Sequence, residues 1–312
     1  MEKEFIKKPI AQIHKESFCI KLISIVRVFR LIDAAVFTGI PLMGIIVSAY
    51  HLHISQINFL SSLLYILVIY LLAIHVFSIN DWADYHGDIN DLYKIKEGIQ
   101  KRHLSLKQYL IIAIISGIIP LFLLLGFSTA KFLIGFIIVL LSFFYSTNLF
   151  SLHGKSIPVL ATLLHILGGM LAFLLGYLFF GHFHIQAVLT GLMCGVFLSA
   201  GHLFHEIQDF EGDLTTKIMT TANTIGKKPA AWIGLILLFF GHAIFQYLTY
   251  KEFLPDLSLI NWMVFALVAV FIGFSIKSGL THRSMKKLRF SYRIIYALLG
   301  VYIFTRLFYH IH

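Results

Sequence analysis

Charge is scarce in this chain. Asp, Glu, Lys and Arg make up 13% of its 312 residues, about half their share in an ordinary soluble domain. Hydrophobic residues make up 58%, and the mean hydropathy is +0.85. A water-soluble fold has nowhere to hide such an excess. Cysteine is almost absent: Cys19 and Cys194 are the only two, which excludes a disulfide framework and a cysteine-based metal centre. Low-complexity tracts, clear short repeats and a separate soluble domain are also lacking, so residues 1–312 read as one domain. The net charge of +10 raises the question of nucleic acid. No aromatic-interleaved basic stretch or nucleic-acid motif accompanies it, however, and basic residues of membrane proteins collect in cytoplasmic loops.

What the chain has in abundance is apolar runs of span length. Runs of about 18 or more residues with little charge read as membrane helices. They fall near 22–50, 57–79, 108–127, 130–149, 157–180, 185–205, 229–250, 259–278 and 290–309. The expected fold is therefore all-α, a polytopic bundle of nine transmembrane helices. Short connections, such as Gly181 to His184, favour antiparallel neighbours. With the N-terminus inside, segments 1–30, 80–107, 150–156, 206–228 and 277–293 are cytoplasmic and hold 22 of the 25 Lys and Arg. Lys131, Lys251 and Arg306 are the remainder. This split obeys the positive-inside rule, and moving one span would scramble it. Residues 1–21 form a basic segment suited to the membrane surface. It is not a cleaved signal peptide, because the apolar run behind it is of full span length and lacks a small-residue cleavage site.

The acids are few and clustered. Asp81, Asp84, Asp88 and Asp91 form one group, and Glu206, Asp209, Glu211 and Asp213 another, eight of the 15 acids in all. Each group stands at the cytoplasmic end of an even-numbered span. Asp81, Asp84 and Asp88 fall at i, i+3 and i+7, one face of a helix, and Glu206, Asp209 and Asp213 repeat the spacing. Like charges this close repel unless a cation intervenes. Mg²⁺ suits them: it takes hard oxygen ligands, commonly one or two carboxylates with waters and substrate phosphate oxygens. The alternative is a pair of solvated acidic loops or helix caps, which explains one cluster more readily than two of matching spacing. Acids at the membrane edge are functional candidates by default.

Asn80-Asp81-Trp82-Ala83-Asp84-Tyr85-His86-Gly87-Asp88 reads NDxxDxxxD, and Glu206 with Asp209 and Asp213 resembles DxxDxxxD. The two resemble the paired signatures of the UbiA superfamily of intramembrane prenyltransferases. The Glu-Gly-Asp at 211–213 looks most like the branch containing homogentisate, chlorophyll and geranylgeranylglyceryl phosphate prenyltransferases. The resemblance spans nearly the whole chain and implies nine helices around a central cavity, with the motifs after helices two and six. It implies that Asn80, Asp81, Asp84, Asp88, Glu206, Asp209 and Asp213 hold Mg²⁺ and a prenyl diphosphate. Arg27 matches the basic residue the family carries early in helix one, near the reacting groups, which implies a catalytic role for it beside Asp84 and Asp209. Tyr145-Ser146 followed by Lys155 matches a tyrosine and a basic residue after helix four, with Lys155 and Tyr145 as diphosphate contacts. Arg27 and Lys155 also suit ordinary positive-inside anchoring, and Tyr145 an interfacial aromatic. Two departures stand out. The loop from Lys94 to Leu106 carries Lys101-Arg102-His103 where many members have Arg-Pro, leaving Arg102 as its candidate diphosphate contact. Glu206 stands where Asp is commoner.

The implied chemistry is ionisation of an allylic diphosphate in a dry chamber, followed by attack of an aromatic or lipid acceptor. A terpene cyclase of the same superfamily would use the same diphosphate site without an acceptor. A cation-coupled transporter is a third possibility, although transporter acids tend to sit near the midplane. His86, His202 and His205 lie in or beside the motifs, as proton acceptors, partners of the acids or buried polar contacts.

Overall fold

A computed structural model describes residues 31–54, 58–88, 105–147, 154–215 and 218–311. The described residues are helical apart from short connections, one of the two ways in which a chain in lipid can bond all its backbone polar groups to one another. Helices α1 (Leu31–Phe37) and α2 (Gly39–His51) meet at Thr38. They are followed by α3 (Phe59–Ala83), the short α4 (Tyr85–Asp88), α5 (Leu106–Phe127) and α6 (Thr129–Ser146). A 3₁₀ turn at Gly154–Ser156 leads to α7 (Leu160–Tyr177), and a second at Leu178–Phe180 precedes α8 (Ile185–Thr215). The chain ends with α9 (Thr221–Ile225), α10 (Lys227–Tyr250), α11 (Ser258–Lys277) and α12 (His282–Ile311).

Eight helices among the described residues are long and apolar enough to cross a membrane. The expected first span, 22–50, is described only from residue 31, and there it is the α1–α2 pair. Large apolar side chains point outward along the spans, among them Phe122 at 74% exposure and Leu259 at 75%. Such an apolar surface suits lipid and not water.

Local sequence sets the helix ends. Asn58 caps α3 by accepting from the Ser61 N–H, and Ser105 with Gln108 forms a capping box on α5. Ser128 ends α5 in extended backbone and caps α6 through the Lys131 N–H, so one residue turns the chain between two spans. Asp256 accepts from the N–H and hydroxyl of Ser258 ahead of α11, and those bonds hold its carboxyl below the usual range.

Helix α8 is the hub, packing on α7, α10 and α12, while α2 lies against α7 and α12, and α3 against α5 and α6. Small residues set the closest crossings. A Cβ on Gly195 of α8 would lie 2.0 Å from the Ile166 carbonyl oxygen, and one on Gly176 of α7 1.8 Å from that of Pro41. Polar side chains bridge other pairs. Buried His242 of α10 joins Asn261 of α11 at 2.6 Å and the Tyr296 hydroxyl of α12 at 2.9 Å. His75 of α3 meets the Ala113 carbonyl of α5 at 2.7 Å.

Candidate active site

Alternation of the spans brings the ends of α3, α6 and α8 and the start of α7 to one end of the bundle. Both acidic segments are there, but differently built. Helix α3 runs past its expected end at residue 79 to Ala83, carrying Asn80 and a buried Asp81. Asp84 is its C-cap, and the chain resumes as the single turn of α4 that holds His86 and Asp88. The expectation of three acids on one unbroken helical face is corrected here: the helix is interrupted at Asp84. Helix α8, by contrast, continues without a break from the expected end at 205 to Thr215. Glu206, Asp209 and Asp213 therefore do share one helical face.

The segments converge around Tyr145, at the last turn of α6, whose hydroxyl lies within electrostatic reach of Asp84, Glu206 and Asp213. Asp84 Oδ2 accepts from Lys155 Nζ at 2.7 Å, and both side chains are largely buried, 13% and 16% exposed. Lys155 is presented by the 3₁₀ turn Gly154–Ser156. Beyond it Val159 adopts φ 68°, a left-handed conformation costly for a β-branched residue. Its N–H donates to Thr221 Oγ1 at 3.0 Å.

Glu206 is 4% exposed, and its Oε2 accepts from the Ala222 N–H at 3.0 Å. Its Oε1 lies 3.0 Å from His202 Nε2, and both atoms are buried. Thr221 and Ala222 thus tie the start of α9 to the Lys155 turn on one side and to the second acidic segment on the other. Asp209 faces His205 at 3.2 Å, with His205 half exposed. Glu211 pairs with Lys227 at the head of α10.

Sequence reasoning had not singled out His165 of α7. Its ring stacks on His202 at 3.7 Å and 10°, and the edge of Tyr145 meets it at 5.0 Å. A lone histidine inside an otherwise apolar span was the available signal. Arg27 and Arg102 lie outside the described residues, as does Asp91, and of Asp88 only the backbone is described.

Among the described residues, no three His, Cys, Asp or Glu side chains approach closely enough to hold a metal ion by themselves. The donor set nevertheless suits Mg²⁺, which needs few protein carboxylates when phosphate and water complete its shell. Glu206 Oε1, buried beside His202 Nε2, adds a further carboxylate oxygen to that set.

The polytopic helical bundle thus gathers two acidic segments and a lysine at one end. The sequence profile of the UbiA prenyltransferase family matches residues 38–299. The chain belongs to that family, and with it to the prenyltransferases. The fold agrees with solved structures. A UbiA homologue from Archaeoglobus fulgidus bound to GPP and Mg²⁺ superposes with a TM-score of 0.68 at 18% identity, over 90% of this chain and 98% of that one. A structure described in connection with digeranylgeranylglyceryl phosphate synthase gives 0.67 at 18% identity over 92% and 98%. The apo UbiA homologue from Aeropyrum pernix K1 gives 0.64 at 16% over 87% and 98%. No match was found among curated proteins.

Proposed function

We propose that this prenyltransferase requires Mg²⁺ and moves the prenyl group of a prenyl diphosphate onto an aromatic quinone or pigment precursor, or onto a lipid acceptor. The Lys155–Asp84 pair, linked through Val159, Thr221 and Ala222 to Glu206 of the second acidic segment, carries the reading. The A. fulgidus relative bound to GPP and Mg²⁺ supports the substrate and ion by analogy of fold.

Asp81, Asp84, Asp88, Asp209 and Asp213 would hold the ion, with Glu206 Oε1 beside them. When bound, Mg²⁺ offsets the charge that gathers on the diphosphate as its bond to carbon breaks. Lys155 exchanges Asp84 for a diphosphate oxygen, while Tyr145 and Asn80 donate hydrogen bonds to the same group. Arg27 and Arg102 supply further positive charge. The C1–O bond breaks with its electron pair leaving on the diphosphate, and the helices around the site keep water from the allylic cation. An acceptor carbon or hydroxyl then bonds to C1 and gives up a proton to the released diphosphate. By the distribution of Lys and Arg, the N-terminus and both acidic segments face the cytoplasm.

Diphosphate release by the purified protein with geranylgeranyl diphosphate, Mg²⁺ and a panel of acceptors tests this. Asp84→Asn and Asp209→Asn are each expected to lower release at least about a hundredfold. Asp209→Asn should keep its thermal melting, whereas Asp84→Asn, which leaves Lys155 without its ion-pair partner, should melt lower. Unchanged release would sink the site. A cyclic hydrocarbon or terpene alcohol as the main product without acceptor would replace transfer with cyclisation.

A further inference from the structure

Beside the acidic end of the bundle, a groove of about 660 Å³ opens between α11 and α12. Its wall is apolar, formed by Phe271, Phe274 and Phe290, and its mouth carries Arg283 and Lys287. Phe274 and Phe290 are 61% and 67% exposed. Arg283, Lys287 and Phe290 stand at i, i+4 and i+7 of α12 and so share one face.

The charge around this groove is unbalanced. From Leu257 to His312 the chain has seven Lys and Arg and no Asp or Glu. Two of those cations are engaged elsewhere: Arg289 donates to Gln208 Oε1 at 2.8 Å, and the exposed Arg293 pairs with Asp33 at 3.6 Å. Arg283 and Lys287 turn to the groove instead, where the hairpin offers them no acid. An occupant that suits both wall and mouth has an anionic head and apolar chains. A free anion would leave the phenylalanines uncovered, and a neutral lipid would leave the cations unmatched.

We propose that this groove is a binding site for one anionic phospholipid of the surrounding leaflet, its phosphate between Arg283 and Lys287 and an acyl chain along Phe274 and Phe290. The site lies outside the acidic segments and stands or falls independently of the reaction proposed above.

Native mass spectrometry of the full-length protein in detergent, titrated with phosphatidylglycerol or phosphatidylcholine, tests it. The wild type is expected to bind its first phosphatidylglycerol about tenfold more tightly than phosphatidylcholine. Arg283→Gln with Lys287→Gln should bring the two lipids within about twofold of each other. Both positions are exposed, so folding should survive, and matching melting curves establish that it has. Lys107→Gln with Lys228→Gln removes the same charge from the same end of the bundle, away from the groove, and should keep the tenfold preference. Three results would overturn the site: no preference in the wild type, a preference that survives the groove substitutions, or equal loss in both double variants. Displacement of phosphatidylglycerol by stoichiometric geranylgeranyl diphosphate would do so as well, since it would make the groove a substrate port.

Discussion

Glu206 shows how one carboxylate differs from its neighbours in the same motif. Its Oε2 is committed to the Ala222 N–H, so it fastens the start of α9 to α8, and Thr221 fastens the same turn to Val159 behind Lys155. A hydrogen bond to a charged group contributes about 1.5–3 kcal/mol. Glu206→Ala removes it, frees the turn that presents Lys155, and is expected to lower kcat/KM by about ten- to a hundredfold. Glu206→Gln retains an oxygen for Ala222, and its amide can donate to His202 Nε2, which lies 3.0 Å from Oε1 in the wild type. The Gln variant should therefore stay within about fivefold of wild type at saturating Mg²⁺, with any larger loss confined to low Mg²⁺. Steady-state kinetics across Mg²⁺ concentrations separate the two oxygens' roles; equal losses in both variants would show that the negative charge, not the anchor, matters. This anchor was not legible in the sequence. Glu206 and Ala222 are 16 residues apart across a turn, and spacing rules address only partners on one element.

The helices themselves were legible, because each apolar run must satisfy its own backbone bonds in lipid. So was the meeting of both acidic segments at one end, which follows from counting antiparallel spans. The interruption of α3 at Asp84 was not, since a helical spacing of acids continues through a cap without any local signal. Nor was the stacking of His165 on His202, which depends on the register of α7 against α8. That register is held where backbones touch. A Cβ at Gly195 meets the Ile166 carbonyl, an immovable backbone atom, whereas a Cβ at Gly168 has nothing within 4 Å. Gly195→Ala is expected to destabilise the bundle by about 1–3 kcal/mol, and Gly168→Ala to leave it unchanged. Thermal melting in detergent distinguishes them. Equal melting temperatures would mean that α7 and α8 separate without cost and do not fix the histidine stack.

For the whole molecule, the open quantity is which way the bundle lies in the membrane, and its charge argues for one answer. The acidic end also carries Lys155, Lys227, Lys228 and the cations at the head of α12. At the opposite end Lys131 is only 6% exposed, donating to the Phe179 carbonyl at 3.1 Å and lying over the Tyr65 and Phe127 rings. That lysine is spent inside the fold, so Lys251 and Arg306 alone remain there to oppose the rule, which sharpens the asymmetry seen in the sequence. The chain's poverty in cysteine makes the orientation measurable. In a background with Cys19→Ser and Cys194→Ser, a single thiol can be placed by Lys107→Cys at the acidic end or by Lys251→Cys at the other; both positions are exposed. In intact cells a membrane-impermeant maleimide is expected to label the Lys251→Cys variant. The Lys107→Cys variant should react only after the membrane is opened. The reverse pattern would place the acidic segments outside the cell, away from a cytoplasmic supply of prenyl diphosphate. It would overturn the orientation while leaving the family and the fold intact.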